Sequence, residues 1–198
     1  MIELQTSNRF AGRTAIVTRA GSGIGRAVAV RLARQGANTV AADLFKNRPD
    51  ALVDELGPDR TATVGGDVSK EETVQAMSAA VNARVDVLAN IAGVMDGCRP
   101  VAEVNNETWE KVFVIKVTAV MRLTRTALPL MLAAGKGAIV NVASGAGLRG
   151  SAAGAACTAS KHAMSGLTRN TAFRCMGQAA YASMPSLREL FKPESMDK

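Results

Sequence analysis

The chain has 198 residues, of which 47% are hydrophobic, so we expect a single folded domain with a sizeable core. No apolar run reaches the roughly 18–20 residues that a membrane-spanning helix needs, and the polar first ten residues lack a signal-peptide core. The formal net charge is +7, but the basic residues are dispersed, which favours a solvated surface over a nucleic-acid interface. We therefore expect a cytoplasmic protein with neither a membrane nor a nucleic-acid partner.

The hydrophobic pattern alternates between strand-like and helix-like segments along the chain. The predicted strands are 14–18, 39–43, 61–64, 85–89 and 137–142. The predicted helices are 26–35, 49–56, 69–81, 108–134 and 152–173. Ser69 is the predicted N-cap of the third helix, with Glu72 completing a capping box, and Pro129 should kink or break the fourth helix. This alternation predicts an α/β fold with a doubly wound parallel sheet.

The cysteines and the single histidine argue against a metal site or a disulfide framework. Cys98, Cys157 and Cys175 are scattered and form no Cys-x-x-Cys pair, and His162 is the only histidine. No bound metal is predicted.

A glycine-rich turn, Ala20–Gly25, separates the first strand from the first helix. Glycines let the backbone approach a pyrophosphate, and the helix N-terminus offers unpaired N–H groups and the positive end of its dipole. Asp43 ends the second strand, where an acid accepts hydrogen bonds from the adenosine ribose and repels a 2′-phosphate. Together they indicate dinucleotide binding and favour NAD over NADP. A helix-capping or loop role is the alternative for Asp43.

Four further motifs follow in order along the chain. They are Gly-Asp-Val at 66–68, Asn-Ile-Ala-Gly at 90–93, Asn-Val-Ala-Ser at 141–144 and Cys-x-x-x-Lys at 157–161. With Thr-Arg-Ala-Gly-Ser-Gly-Ile-Gly at 18–25, they resemble the motifs of the short-chain dehydrogenase/reductase family over residues 8–173. The resemblance implies a Rossmann-like fold and an NAD(P)-dependent oxidoreductase that acts on a secondary alcohol or ketone.

The resemblance also implies a set of site residues. The implied cofactor-binding residues are Thr18, Arg19, Ser22, Gly23, Ile24, Gly25, Asp43, Asp67, Val68, Asn90, Ala92, Gly93 and Lys161. The implied catalytic positions are Ser144, Cys157, Lys161 and Lys116. In the family a serine holds the substrate oxygen and a tyrosinate takes the proton. A lysine four residues on lowers the tyrosine pKa and binds the nicotinamide ribose, and an asparagine anchors a water.

The chain departs from the family pattern at three of these positions. Cys157 stands in place of the tyrosine, Lys116 in place of the asparagine that follows Trp109, and Arg19 in place of the first glycine of the turn. A thiol falls short of where a phenol oxygen would lie, so our hypothesis is that Cys157 cannot serve as the base. If position 19 needs a positive φ, arginine there costs on the order of 1–2 kcal/mol and crowds the adenosine side. Weaker cofactor binding is the prediction.

After Phe173 the resemblance stops. One choice of synonymous codons for residues 176–188 reads, in another frame, as Gly-Pro-Gly-Gly-Ile-Arg-Val-Asn-Ala-Val-Ala-Pro, which resembles the segment with which the family continues. We therefore expect an incomplete domain over 8–173, a frameshifted and non-native tail over 174–198, and a sheet that lacks its last strands. The fifth strand would then be an exposed hydrophobic edge.

These observations predict a truncated family member that acts on a small molecule, with impaired or lost activity. Each of the three replacements needs a single base change, which fits a decaying gene or an error-rich sequence. The alternatives are a non-catalytic nucleotide-binding remnant or a subunit that pairs with an intact paralogue. A basic nucleic-acid-binding module ranks last. Whether the chain forms a homo-oligomer through its long helices is left open.

Overall fold

The computed structural model describes residues 8–175, and the strands in this range form one parallel sheet. They are β1 (Thr14–Thr18), β2 (Asn38–Asp43), β3 (Thr61–Gly65), β4 (Val87–Asn90) and β5 (Ala138–Asn141). Their order is β3-β2-β1-β4-β5, and every neighbouring pair is parallel. The predicted α/β fold with a doubly wound parallel sheet is confirmed.

Helices cover the sheet on both faces. They are α1 (Gly23–Arg34), α2 (Asn47–Leu56), α3 (Glu71–Ala79), α4 (Asn106–Phe113), α5 (Ala119–Ala133) and α6 (Ala155–Cys175). A π-helical turn, Val114–Thr118, joins α4 to α5, and a 3₁₀ turn, Gly145–Gly147, precedes α6.

The core has two halves because successive strand residues point to opposite faces of the sheet. Ile16 and Leu88 pack on one face with residues of α3 and α5. Val17 and Ala89, their neighbours in β1 and β4, pack on the other face with residues of α1 and α2. Every residue of β1 is buried, as expected for a central parallel strand, and this places the carboxyl ends of β1 and β4 side by side.

The predicted capping box at the start of α3 is wrong. The helix begins at Glu71, and Lys70 occupies the N-cap position without a side-chain capping bond. The side chain of Asp67 accepts a hydrogen bond from the N–H of Ser69 at 2.9 Å, so Ser69 lies in a local turn before the helix.

Of the kink or break predicted at Pro129, the break is wrong. Pro129 lies inside α5, which continues to Ala133. Ala127 and Met131 on either side are buried in the core, and this packing outweighs the missing backbone donor. The interruption of α-helical geometry occurs upstream instead, at the π-helical turn.

Two further features concern the last described elements. Within residues 8–175, β5 pairs only with β4, and Val140 is 45% exposed. The last helix continues to Cys175, two residues beyond its predicted end. The rest of the predicted frameshifted tail, residues 176–198, lies outside the described residues.

No helix within 8–175 has the length and apolar character needed to cross a membrane.

Candidate cofactor and active site

The turn between β1 and α1 is shaped so that only glycine fits at its ends. A Cβ atom on Gly25 would lie 2.1 Å from the carbonyl oxygen of Arg19, and one on Gly21 would lie 2.3 Å from the Cβ of Arg48. Gly23 has a φ of 53°. The first turn of α1 carries no acidic side chain, so its N-terminus is free to face an anion.

Arg19 adopts a backbone conformation that favours glycine. Its φ is 55°, in the left-handed region. Its guanidinium Nη1 lies 3.4 Å from the carbonyl oxygen of Gly93, so the side chain reaches from the end of β1 to the loop after β4. The same loop is tied to β1 by Thr18, whose Oγ1 accepts hydrogen bonds from the N–H groups of Ile91 and Ala92.

A cavity of about 380 Å³ opens at the carboxyl ends of β1, β2 and β3. Asp43 lines it with its side chain only 3% exposed, and its carboxylate accepts hydrogen bonds from the N–H of Gly21 at 3.0 Å and of Phe45 at 3.3 Å. Arg48 lies over the Phe45 ring, with its Nη1 3.9 Å from Asp43 Oδ1. Of the predicted cofactor residues, this cavity is lined by Thr18, Arg19, Asp43, Asp67, Val68, Ala92 and Gly93.

A second cavity, of about 440 Å³, adjoins the first and shares Arg19 with it. All four predicted catalytic side chains line this second cavity: Ser144, Cys157, Lys161 and Lys116. Of the predicted cofactor residues, it is lined by Arg19, Gly23, Ile24, Ala92, Gly93 and Lys161. Ser22, Gly25 and Asn90 line neither cavity.

Lys116 and Cys157 form a buried contact at the wall of the second cavity. The Nζ of Lys116 donates to the Sγ of Cys157 at 2.8 Å, and the two residues are 4% and 2% exposed. Lys116 lies in the π-helical turn, while Cys157 lies in the first turn of α6. The thiol also lies 3.8 Å from the carbonyl oxygen of Val94, to which it donates.

The two other predicted catalytic residues have backbone partners. Lys161 donates from Nζ to the carbonyl oxygen of Val142. Burial and then the positive charge of Lys116 lower the pKa of Lys161, and Cys157 offsets part of that change. The Oγ of Ser144 accepts a hydrogen bond from the N–H of Ala146 at 3.2 Å, and its hydroxyl hydrogen can still be donated.

Comparisons with known proteins bear on this arrangement. The family model for short chain dehydrogenases matches residues 13–179. The chain belongs to the short-chain dehydrogenase family. It is 37% identical to 3beta-hydroxysteroid dehydrogenase 2 of Eggerthella lenta, over 87% of this chain and 69% of that protein. It is 38% identical to a short-chain dehydrogenase/reductase of Talaromyces verruculosus, over 80% of this chain and 62% of that protein. The chain thus spans about two thirds of the length of these curated relatives.

Solved structures of short-chain dehydrogenases share the fold. One, from Beutenbergia cavernae, is assigned as an NAD(P)-dependent gluconate 5-dehydrogenase and contains NADP at low occupancy. It has a TM-score of 0.77 and 38% identity, and the match covers 88% of this chain and 70% of that one. Another, a short-chain dehydrogenase from Streptomyces avermitilis, has a TM-score of 0.78 and 31% identity, covering 83% of this chain and 61% of that one.

One residue in contact with the site, Asp96, was not predicted from the sequence. Asp96 is buried after β4, and its carboxylate accepts hydrogen bonds from the N–H of Cys157 at 2.8 Å and of Cys98 at 3.0 Å. Burial raises the pKa of Asp96, but hydrogen bonds from Cys157 and Cys98 lower it by more, so the net change is downward. A Cβ on Gly154 would lie 2.5 Å from this carboxylate. The only sequence signal was an Asp-Gly pair at the carboxyl edge of the sheet.

The side-chain amides of Asn90, which is buried, and Asn141, which is partly buried, connect strands of the sheet to α6. Asn90 donates to the Oδ1 of Asn141 at 2.8 Å, and Asn141 donates to the Oγ1 of Thr168 at 2.9 Å. These two consecutive hydrogen bonds link β4, β5 and α6. Asn90 therefore supports the active-site helix from below rather than lining a cavity.

Proposed function

We propose that this chain binds a nicotinamide dinucleotide across the two adjoining cavities. The glycine turn supports the fit, because a Cβ at Gly21 would clash with Arg48 and a Cβ at Gly25 with the backbone of Arg19, so this close packing of the turn needs glycine at both positions. Asp43 would hold the adenosine ribose, and Lys161 the nicotinamide ribose. When bound, the nicotinamide supplies a hydride acceptor or donor.

We further propose that the associated reaction is the oxidation of a secondary alcohol or the reduction of a ketone. Ser144 lines the second cavity with a hydroxyl that can donate to a substrate oxygen. Lys161, four residues after Cys157 on the same helix face, lines the same cavity. Its ammonium would lie near the substrate oxygen. Ile91, Val94 and Val142 would give the reacting carbon an apolar wall.

The same proposal holds that proton transfer is impaired in this chain. The observation that carries it is the 2.8 Å contact between Lys116 Nζ and Cys157 Sγ, both buried. A general base must offer a lone pair to the carbinol proton at hydrogen-bond distance. Here the sulfur accepts from the Lys116 ammonium and donates to the carbonyl oxygen of Val94. A cysteine side chain is also shorter than a tyrosine side chain, so the sulfur would not reach the carbinol proton.

The test restores the family residues and measures binding and turnover separately. The triple variant Arg19→Gly, Lys116→Asn, Cys157→Tyr should turn over secondary alcohols on the order of 100-fold faster than the wild-type chain. The single variant Cys157→Tyr should gain far less, because it leaves Lys116 buried against the new phenol. NADH titration by fluorescence and thermal unfolding establish that each variant folds and binds.

Two results would contradict the impairment. One is wild-type turnover equal to that of a folded triple variant. The other is a resequenced gene with glycine, asparagine and tyrosine codons at positions 19, 116 and 157. NADH binding without turnover, even in the triple variant, would favour a non-catalytic nucleotide-binding protein.

We propose NAD rather than NADP as the preferred dinucleotide. Asp43 is buried at the end of β2, where its carboxylate repels a 2′-phosphate. Wild-type protein should bind NADH at least tenfold more tightly than NADPH, and Asp43→Ala should remove this preference. Tighter binding of NADPH by the wild type would refute the proposal and assign the phosphate to Arg48, whose Nη1 is 3.9 Å from Asp43.

A further inference from the structure

The second cavity has an uneven charge. Its described lining includes no carboxylate, and its cationic side chains are Arg19, Lys116 and Lys161. The first cavity mixes both signs, with Asp43, Asp67, Arg19, Arg48 and Lys111 in its lining. Positive charge therefore concentrates at the end of the groove where the substrate would bind.

Lys116 is the most deeply placed of these cations. It is 96% buried, and the hydrogen bond it makes goes to a thiol rather than to a carboxylate. Asp96 contacts Cys157 from another side, through the backbone N–H and the side chain of that residue, but Asp96 does not line the cavity. No carboxylate is among the described lining residues, and burying the Lys116 ammonium is costly without one close by, so the site is suited to an anion.

The pKa of Lys161 reflects the same concentration of positive charge. Burial is the largest cause of its lowered pKa, and the charge of Lys116 lowers the pKa further. A negative charge held near both ammonium groups would oppose this effect. Arg19 differs from them because it also lines the first cavity and contacts Gly93. Phosphates of a dinucleotide would account for Arg19 but not for Lys116.

We propose that the second cavity binds a small oxo acid, whose carboxylate lies against Lys116 and Lys161. The remaining wall is largely apolar and suits a short aliphatic chain, with Ile24, Ile91, Val94, Met95 and Val142 among its residues. The keto oxygen would accept from Ser144, a step that rests on the proposed function. A volume of about 440 Å³ admits a compound of this size beside the nicotinamide end of a dinucleotide.

The experiment compares one anion with its neutral ester. Levulinate and methyl levulinate differ chiefly in charge, and calorimetric titration of the wild-type chain at fixed salt should show at least tenfold tighter binding of levulinate. Lys116→Met keeps the apolar stem but removes the charge, and it should abolish the preference. Arg19→Gly tests whether the anion lies instead at the dinucleotide phosphate position, and it should keep the preference within threefold.

Equal affinity for acid and ester, or an undiminished preference in Lys116→Met, would overturn the inference. Loss of the preference in Arg19→Gly alone would also overturn it, because the anion would then lie at the dinucleotide phosphate position. An NADH titration separates this inference from the proposed function. Failure of NADH binding with the levulinate preference intact counts against dinucleotide binding only, and the reverse result counts against the oxo-acid site only.

Discussion

Replacing Arg19 with glycine tests how far the glycine turn has been compromised. Arg19 has a φ of 55°, and the left-handed conformation costs an L-residue roughly 1–2 kcal/mol. Glycine loses about 0.5–1 kcal/mol more backbone freedom on folding, and the 3.4 Å bond to Gly93 contributes about 0.3 kcal/mol at an exposed site. The net gain is about 0.5 kcal/mol, which corresponds to a rise in Tm of roughly 1–2 °C.

The same substitution should strengthen dinucleotide binding. The Arg19 side chain lines both cavities and spans the groove between them to Gly93. Its removal opens the path that a pyrophosphate would follow from one cavity to the other. We expect the Kd for NADH, measured by fluorescence titration, to fall about three- to tenfold, or roughly 1 kcal/mol.

Ala83→Gly provides a matched control for the backbone effect. Ala83 is exposed with a φ of 58°, and it lines neither cavity. It should raise the Tm by a similar amount and leave the Kd for NADH unchanged. A lower Tm in Arg19→Gly together with a higher Tm in Ala83→Gly would show that the left-handed backbone at Arg19 does not destabilise the fold. A higher Kd for NADH in Arg19→Gly would show that the guanidinium attracts the cofactor phosphates rather than obstructing them.

Three further predictions concern acid stability, the cap of α6 and thiol reactivity. Burial raises the pKa of Asp86, but hydrogen bonds from two arginines and a backbone N–H outweigh it and bring the pKa to about 2. Because this pKa lies below its ordinary value of 3.8, the stabilisation is present above pH 4 and is lost towards pH 2. Asp86→Asn should therefore cost about 2 kcal/mol in urea unfolding at pH 7 and almost nothing near pH 2. Asp96→Ala should cost about 1–2 kcal/mol and lower amide-exchange protection in the first turn of α6. Iodoacetamide should label exposed Cys98 before buried Cys157 and Cys175, because burial also raises the pKa of Cys175, and peptide mass spectrometry measures the order.

Each of these has a clear contrary result. A pH-independent cost of Asp86→Asn would show that its arginine contacts do not persist in solution. Unchanged exchange protection in Asp96→Ala would remove the carboxylate from its capping role. Labelling of Cys157 ahead of Cys98 would show that the Lys116 contact makes the thiol reactive and that the cavity admits the reagent.

Most of the sheet could be predicted from the sequence because buried parallel strands are short, continuous apolar runs. β1 matches its predicted bounds, and the other strands differ by one or two residues at their ends. The resemblance to the family also implied that Ser144, Cys157 and Lys161 share one site, and all three line the second cavity.

Other features depend on contacts between distant parts of the chain. Asp96 caps α6 by accepting a hydrogen bond from Cys157, 61 positions further along the chain. No local sequence pattern predicts this pairing. The contact between Lys116 and Cys157 spans 41 positions and requires the π-helical turn to orient the lysine. At Ser69, the carboxylate of Asp67 accepts from the backbone N–H that Glu72 would accept from in a capping box. The intrinsic preferences of neighbouring residues do not predict which of these hydrogen bonds will form.

The π-helical turn between α4 and α5 separates the rotational phases of the two helices. An α-helix advances about 100° per residue, so an extra residue in a continuous helix would rotate everything after it by that angle. The wider turn at 114–118 absorbs such a residue, and Val112 before it and Val120 and Leu123 after it all face the core. Residue 116 thus owes its direction to the π-helical turn. The side chain at this position can therefore change without disturbing the packing of α4 or α5.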